Sequence, residues 1–325
     1  MQDTIAGPKV AAVATMTAAT AAHVDLDGAW TEPGQAATES WWKNLPTLDA
    51  RGWAARLRFA ALRGEVEEFF SFIDPRLGDA RFIVYGSGDF HHLSALWLRR
   101  AIARNIGGGA GGWTLVAFDN HPDWDIRPPA WCCGSWINRA LDLPALVRAS
   151  LWGMGNFECW GWHRLTGNRH DVRRGRLAVQ PWADGRSAAD QARVGSILRE
   201  NWREKFTRFA ATLAGRRVYV TIDIDGLCAA EAVTNWENGK FTRADVRWAL
   251  DELRAAGAEI AAGDLCGAWS PQGYARWKQC FAANMDHPRL PEPDPAQARA
   301  INFATLRALW PALTGGDEHD AGGDE

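Results

Sequence analysis

Short apolar runs alternate with segments of helical spacing along most of this chain, and that alternation restricts the fold more than any other feature. The runs Phe82–Tyr85, Trp113–Phe118, the stretch ending near Gly153, Val218–Ile224 and AEIAAGDL before Cys266 read as strands. Helical spacing is expected over Leu48–Phe72, Leu93–Ile106, Ala188–Ala214 with Gly215 closing it, and Asn302–Leu313. Thr242, with Asp245 three residues on, caps a further helix that runs to Ala256 and stops at Gly257. Strands separated by helices give a parallel sheet with helices on both faces, and in such sheets function gathers at the carboxyl ends of the strands.

The 325 residues suffice for one large α/β domain. We expect it over residues 46–314, after an N-terminal arm (1–45) of uncertain structure and before a disordered acidic tail (315–325). A net charge of -3 gives no footprint for nucleic acid. No apolar run approaches the roughly 18–20 residues that cross a bilayer. The Thr- and Ala-rich segment Val10–Ala22 has neither the basic start nor the hydrophobic middle of a secretory signal. Six scattered cysteines without a C-x-x-C pair read as free thiols, and a cytoplasmic location is expected.

The strand ends carry the chemistry. The first strand is followed by Asp89, His91 and His92; the second, in LVAFDNHPDWD, by Asp119, His121, Asp123 and Asp125; the fourth by Asp223 and Asp225. A single aspartate after a strand commonly caps the next helix. That role does not account for D-x-H-x-D followed by D-x-D in one alternating chain. Carboxylate and imidazole donors suit Mn, Zn, Fe or Ni. Asp119, Asp123, Asp223 and Asp225 together match the charge of two divalent cations, whereas one cation would leave a costly excess of negative charge in a poorly hydrated crevice.

Those residues resemble the ureohydrolases, the family of arginase, agmatinase and formimidoylglutamase. DNHPD (Asp119–Asp123) is similar to their D-x-H-x-D motif, TIDIDGL (Thr221–Leu227) to their S-x-D-x-D-G-L motif, and GSGDFHHLS (Gly86–Ser94) to a longer version of their G-G-D-H-S turn. TNWENGKFT (Thr234–Thr242) resembles their Gly/Thr-rich loop. The resemblance implies a three-layer α/β/α sandwich around a mostly parallel sheet of about eight strands. It implies two divalent ions, manganese being usual. Asp119 and Asp223 would bridge both, Asp123 and a first-turn histidine (His91 preferred over His92) would complete one, and His121 and Asp225 the other. The substrate implied is a guanidino compound, free or borne on a peptide. Family members are commonly oligomeric, so a homo-oligomer is an open expectation, although no interface is readable.

Three departures mark the substrate shell as rebuilt. Cys228 and Ala229 follow Leu227 in place of the family's Asp-Pro. Asp264 aligns with the glutamate that contacts the guanidinium, and is the expected substrate anchor and catalytic carboxylate beside Asp123. Cys133 falls where the family has a histidine, and a thiol does not shuttle protons as imidazole does at neutral pH. Trp124, Trp131, Trp136, Trp152, Trp160 and Trp162, with Glu158 and His163, are candidates for an aromatic and polar mouth. Among them Trp124 and Glu158, together with Cys133, are the expected substrate contacts. Two other readings compete: a one-zinc amide deacylase on the same scaffold, and a metal-binding protein without turnover.

Overall fold

The computed structural model describes residues 20–30, 40–107, 111–129 and 131–316. The acidic tail beyond residue 316 and most of the N-terminal arm lie outside them. Eight strands form one sheet: β1 (Ala21–Asp25), β2 (Thr47–Asp49), β3 (Phe82–Tyr85), β4 (Trp113–Phe118), β5 (Leu146–Trp152), β6 (Leu177–Gln180), β7 (Arg217–Asp223) and β8 (Glu259–Cys266). Their order is β2-β1-β3-β8-β7-β4-β5-β6, with every pairing parallel. This is the expected three-layer sandwich.

The central strands β4 and β7 are buried along their whole length because both faces are covered. Side chains alternate between the layers: Leu115 and Ala117 enter one core, Val116 and Phe118 the other. The first core is closed by α1 (Arg63–Ile73), α2 (Ser94–Ala103) and α3 (Trp136–Leu141), through residues such as Phe69, Trp97 and Ile137. The second is closed by α4 (Trp202–Ala211), α5 (Arg243–Ala255) and α7 (Pro295–Thr314), through Phe206, Leu250 and Leu309. Between them in sequence, α6 (Trp277–Asp286) lies against the Phe59–Cys133 cluster. The capping box of α5 forms as expected: Thr242 Oγ1 accepts from Asp245 N at 3.1 Å, and Asp245 Oδ2 from Thr242 N at 3.0 Å.

Several elements differ from expectation. Residues 21–25, read as part of an arm, form a buried strand pairing β3 on one side and β2 on the other. Their Ala-rich sequence hides them, since Ala has little strand preference. The helix expected over Leu48–Phe72 is broken into β2, two short helical turns at Arg51–Trp53 and Ala54–Leu57, and α1. Phe59 adopts φ 64 and bonds its N–H to Asp89 O, which turns the chain across the site. The long helix expected over Ala188–Ala214 is a short turn at Ala188–Gln191 followed by α4. The final helix, expected from Asn302, starts at Pro295, the last residue of the proline-rich stretch PRLPEPDP, where Asp294 caps it.

The connections leave β4 and β7 in opposite directions. The chain goes from β4 outward to β5 and β6, and from β7 the other way to β8. A crevice opens outside the carboxyl ends of two strands arranged like this.

Candidate metal centre

The sheet register aligns the acidic strand ends. Phe118 pairs with Ile222, so Asp119 and Asp223 emerge side by side into the crevice. Asp223 begins a tight turn in which its Oδ1 accepts from Asp225 N at 2.9 Å. Asp119 Oδ1 holds His121 N at 2.6 Å, and Asp225 Oδ1 holds Asn120 N at 3.0 Å, locking the two loops together. Asp123 is held at φ 45, a left-handed conformation that Asp tolerates better than most residues. Its Oδ2 accepts from Trp136 Nε1 at 2.6 Å.

From the neighbouring β3 turn, His91 Nδ1 lies 3.0 Å from Asp123 Oδ2, 3.1 Å from Asp119 Oδ2 and 3.6 Å from Asp223 Oδ2. His121 Nδ1 lies 2.8 Å from Asp225 Oδ2 and 3.7 Å from Asp119 Oδ1. Thus His91, Asp119 and Asp123 form one triad of potential ligands, and Asp119, His121 and Asp225 a second that shares Asp119. Asp223 belongs to a third such group with His91 and Cys266, whose thiol lies 3.6 Å from Asp223 Oδ2. The structure brings all six of the expected ligands together. His92 points elsewhere: it is fully buried, and neither ring nitrogen has a hydrogen-bond partner. Burial lowers its pKa to about 3, so it is neutral.

The electrostatics of the floor call for a cation. Burial, then the charge of Asp119, pushes Asp123 up to about 8. Burial also pushes Asp223 up to about 6, and Asp225 well above the ordinary carboxylate value. Burial works against protonating His91 and His121, but the carboxylates around them prevail and raise both. Buried carboxylates this close compete for protons unless a positive charge offsets their repulsion. Hard oxygen and borderline nitrogen donors in two overlapping triads fit a pair of divalent first-row ions. Glycine is required beside them, because a Cβ on Gly267, at φ 107, would lie 2.1 Å from Asp223 Oδ1.

Above this floor is a cleft of about 520 Å³, its open mouth included. Cys133, Asn156, Phe157, Glu158, Trp236, Glu237 and Asp286 complete its walls. Cys133 and Glu158, two of the expected substrate contacts, are therefore among its lining residues. The Cys132 contact and burial raise the Cys133 thiol well above its usual value. Trp236, Glu237 and Asp286 were not foreseen as wall residues. The first two lie within TNWENGKFT, while Asp286 arrives on α6, which the sequence did not reveal.

Other expectations are corrected. Trp124 does not line the cleft; it packs in the core, tight against Gly167. Trp136 and Trp152 are buried, Trp160 lies between Arg186 and Arg193, and the exposed Trp162 stacks on His163 away from the cleft. Asp264 is not a substrate anchor. It is completely buried, does not line the cleft, and accepts hydrogen bonds from Thr221 Oγ1 at 2.6 Å, Ser94 Oγ at 3.0 Å and Tyr219 Oη. Asp89 also turns from the floor, to Arg58 Nη1 at 2.9 Å and His287 Nε2 at 2.7 Å.

Comparison with known proteins agrees with this architecture. No family model matches the chain. An uncharacterized protein of Thermotoga maritima is 26% identical over 231 residues, covering 70% of this chain and 74% of that protein. Among solved structures, one assigned as an agmatinase from Clostridium difficile superposes with a TM-score of 0.55 at 12% identity, over 91% of this chain and 97% of its own. Arginase from Bacillus caldovelox gives 0.54 at 15% identity, over 92% and 99%. Proclavaminate amidino hydrolase from Streptomyces clavuligerus gives 0.51 at 13% identity, over 90% and 92%. The fold is thus the arginase-like α/β fold. No described helix is long and apolar enough to cross a membrane.

Proposed function

We propose that this chain is a divergent ureohydrolase, a dinuclear metal-dependent enzyme that hydrolyses a C–N bond of a guanidino compound, free or borne on a peptide. The observation that carries the reading is the pair of ligand triads sharing Asp119 at the carboxyl edge of an arginase-like sheet. His91, Asp119, Asp123 and Asp223 would hold one ion, and Asp119, His121, Asp223 and Asp225 the other, with manganese the expected metal. A pair of divalent ions held there supplies Lewis acidity and hydroxide at neutral pH.

The reaction adds water across the guanidino carbon and releases an amine and urea. The walls suit a cationic substrate. Glu158, Glu237 and Asp286 bring carboxylates to the lining, and Phe157 and Trp236 bring aromatic rings, the two side-chain types that attract guanidinium. Buried Trp136 holds Asp123 against the floor, and Asp123 is the group placed to hand a proton to the departing amine. Cys133, a neutral thiol, shapes the wall between floor and mouth.

Metal stoichiometry after manganese loading, followed by a urea-release screen over free and peptide-borne guanidino compounds, tests the proposal. Two ions per chain and urea release are expected. One ion would favour the mononuclear deacylase reading, and none would remove the enzyme reading.

A further inference from the structure

Asp264 is too buried to meet substrate, yet it is connected to the floor. The connection runs through Thr221, which is the first residue of TIDIDGL and belongs to β7. His91 Nε2 lies 3.0 Å from Thr221 Oγ1, which in turn lies 2.6 Å from Asp264 Oδ1. All three residues are at most 1% exposed. Ser94 Oγ and Tyr219 Oη also point at the Asp264 carboxylate, and Tyr85 Oη is 2.7 Å from Ser94 Oγ.

Proton counting orients this chain of bonds. Thr221 Oγ1 donates to Asp264 Oδ1, and its single hydroxyl proton is used there. The Thr221 oxygen can then only accept from His91, and Nε2 must carry the imidazole proton. The other ring nitrogen, Nδ1, faces Asp119, Asp123 and Asp223, where a metal ion taking the place of its proton would meet its lone pair. We infer that Thr221 and Asp264 are positioning residues which fix the tautomer and orientation of His91 as a metal ligand. The inference rests on the dinuclear reading above, and it replaces the substrate-anchor role expected for Asp264.

The two histidines differ in this respect. His121 Nε2 lies 3.5 Å from Glu237 Oε2, and that side chain is 52% exposed. His91 has an outer carboxylate that solvent does not reach.

The test is titration of the metal-free protein with Mn²⁺ alone, counting ions and dissociation constants for wild type, Thr221→Val, Thr221→Ser and Asp264→Asn. Wild type should hold two ions. Thr221→Val should weaken one of them by roughly 10–100-fold, the usual cost of losing a ligand's outer partner. Thr221→Ser, which keeps the hydroxyl, should restore it. Asp264→Asn preserves volume and should weaken the same ion, so the inference stays testable if Thr221→Val does not fold. Wild-type affinity for both ions in Thr221→Val and Asp264→Asn, or a Thr221→Ser variant as weak as Thr221→Val, overturns the inference while leaving the dinuclear reading intact. A wild-type protein that binds no metal overturns both.

Discussion

The floor and the mouth of the cleft are built in different ways. The floor hangs from strand ends: Asp119, Asp123, Asp223, Asp225 and His91 are all at least 95% buried, and the spacing of Asp119 and Asp223 follows the register of β4 against β7. The mouth is made by loops and one helix from distant parts of the chain. Phe157 is 58% exposed there, and Glu237 and Asp286 arrive from segments about fifty residues apart. A rigid sheet edge fixes which chemistry is available, and connections that tolerate change decide what is admitted to it.

The comparison breaks most visibly if the floor proves dispensable. Asp119 belongs to both triads, so Asp119→Ala should remove both ions and lower turnover by roughly three orders of magnitude or more, because several kcal/mol of transition-state charge stabilisation leave with them. Elemental analysis and urea release on the same preparation check this. A variant with full activity would falsify the proposed centre.

Acid should reproduce part of that loss reversibly. Asp123, near 8, and Asp223, near 6, are both raised by burial. Below those values they carry protons that a binding cation must displace. Affinity for Mn²⁺ should therefore rise as pH goes from 6 to 8, by up to about tenfold per pH unit for each proton displaced. Calorimetry in buffers of different ionisation enthalpy would count the protons, and a pH-independent affinity with no proton release would mean the floor is already preorganised by charges other than the cation's.

What was legible in the sequence follows the same division. The floor could be read because D-x-H-x-D and D-x-D each follow a continuous apolar strand, and strand geometry then leaves little freedom for the side chains. Asp264 was misread because it was matched to the family's guanidinium-contacting glutamate, although the strand read over AEIAAGDL already contained it. The strand continues to Cys266, so Asp264 lies within the sheet, opposite Ile83 and Thr221. One residue of phase decides which face of a strand a side chain occupies. The mouth was barely legible. Trp236 and Asp286 reach it only through tertiary packing, and α6 carries exposed Trp277, Phe281 and Met285, a pattern unlike that of a core-facing helix. Helical spacing also misled where Phe59 turns left-handed beneath Asp89.

Changes at the mouth should separate binding from chemistry. Glu158 lines the cleft and accepts from Asn156 Nδ2 at 3.1 Å. Glu158→Gln keeps the shape and removes a charge, so KM for a guanidino substrate should rise about tenfold, the low end for a charge-assisted hydrogen bond. Both ions and kcat should be unchanged. A Glu158→Gln variant that loses metal would place this residue in the floor and dissolve the distinction.

Cys133 sits on the boundary between the two regions, and the smallest effect is expected there. If the thiol moved protons, it would belong functionally with the floor, and Cys133→Ser should cost about a hundredfold, the scale of general acid–base catalysis. Its surroundings argue otherwise. The contact with Cys132, then burial, raise its pKa well above the ordinary thiol value, so at neutral pH no appreciable thiolate exists to accept a proton. A serine hydroxyl of similar size should leave kcat within about threefold and the limbs of the pH–rate profile in place. A hundredfold loss, or a shifted limb, would instead make Cys133 the proton carrier and move the boundary outward to include it.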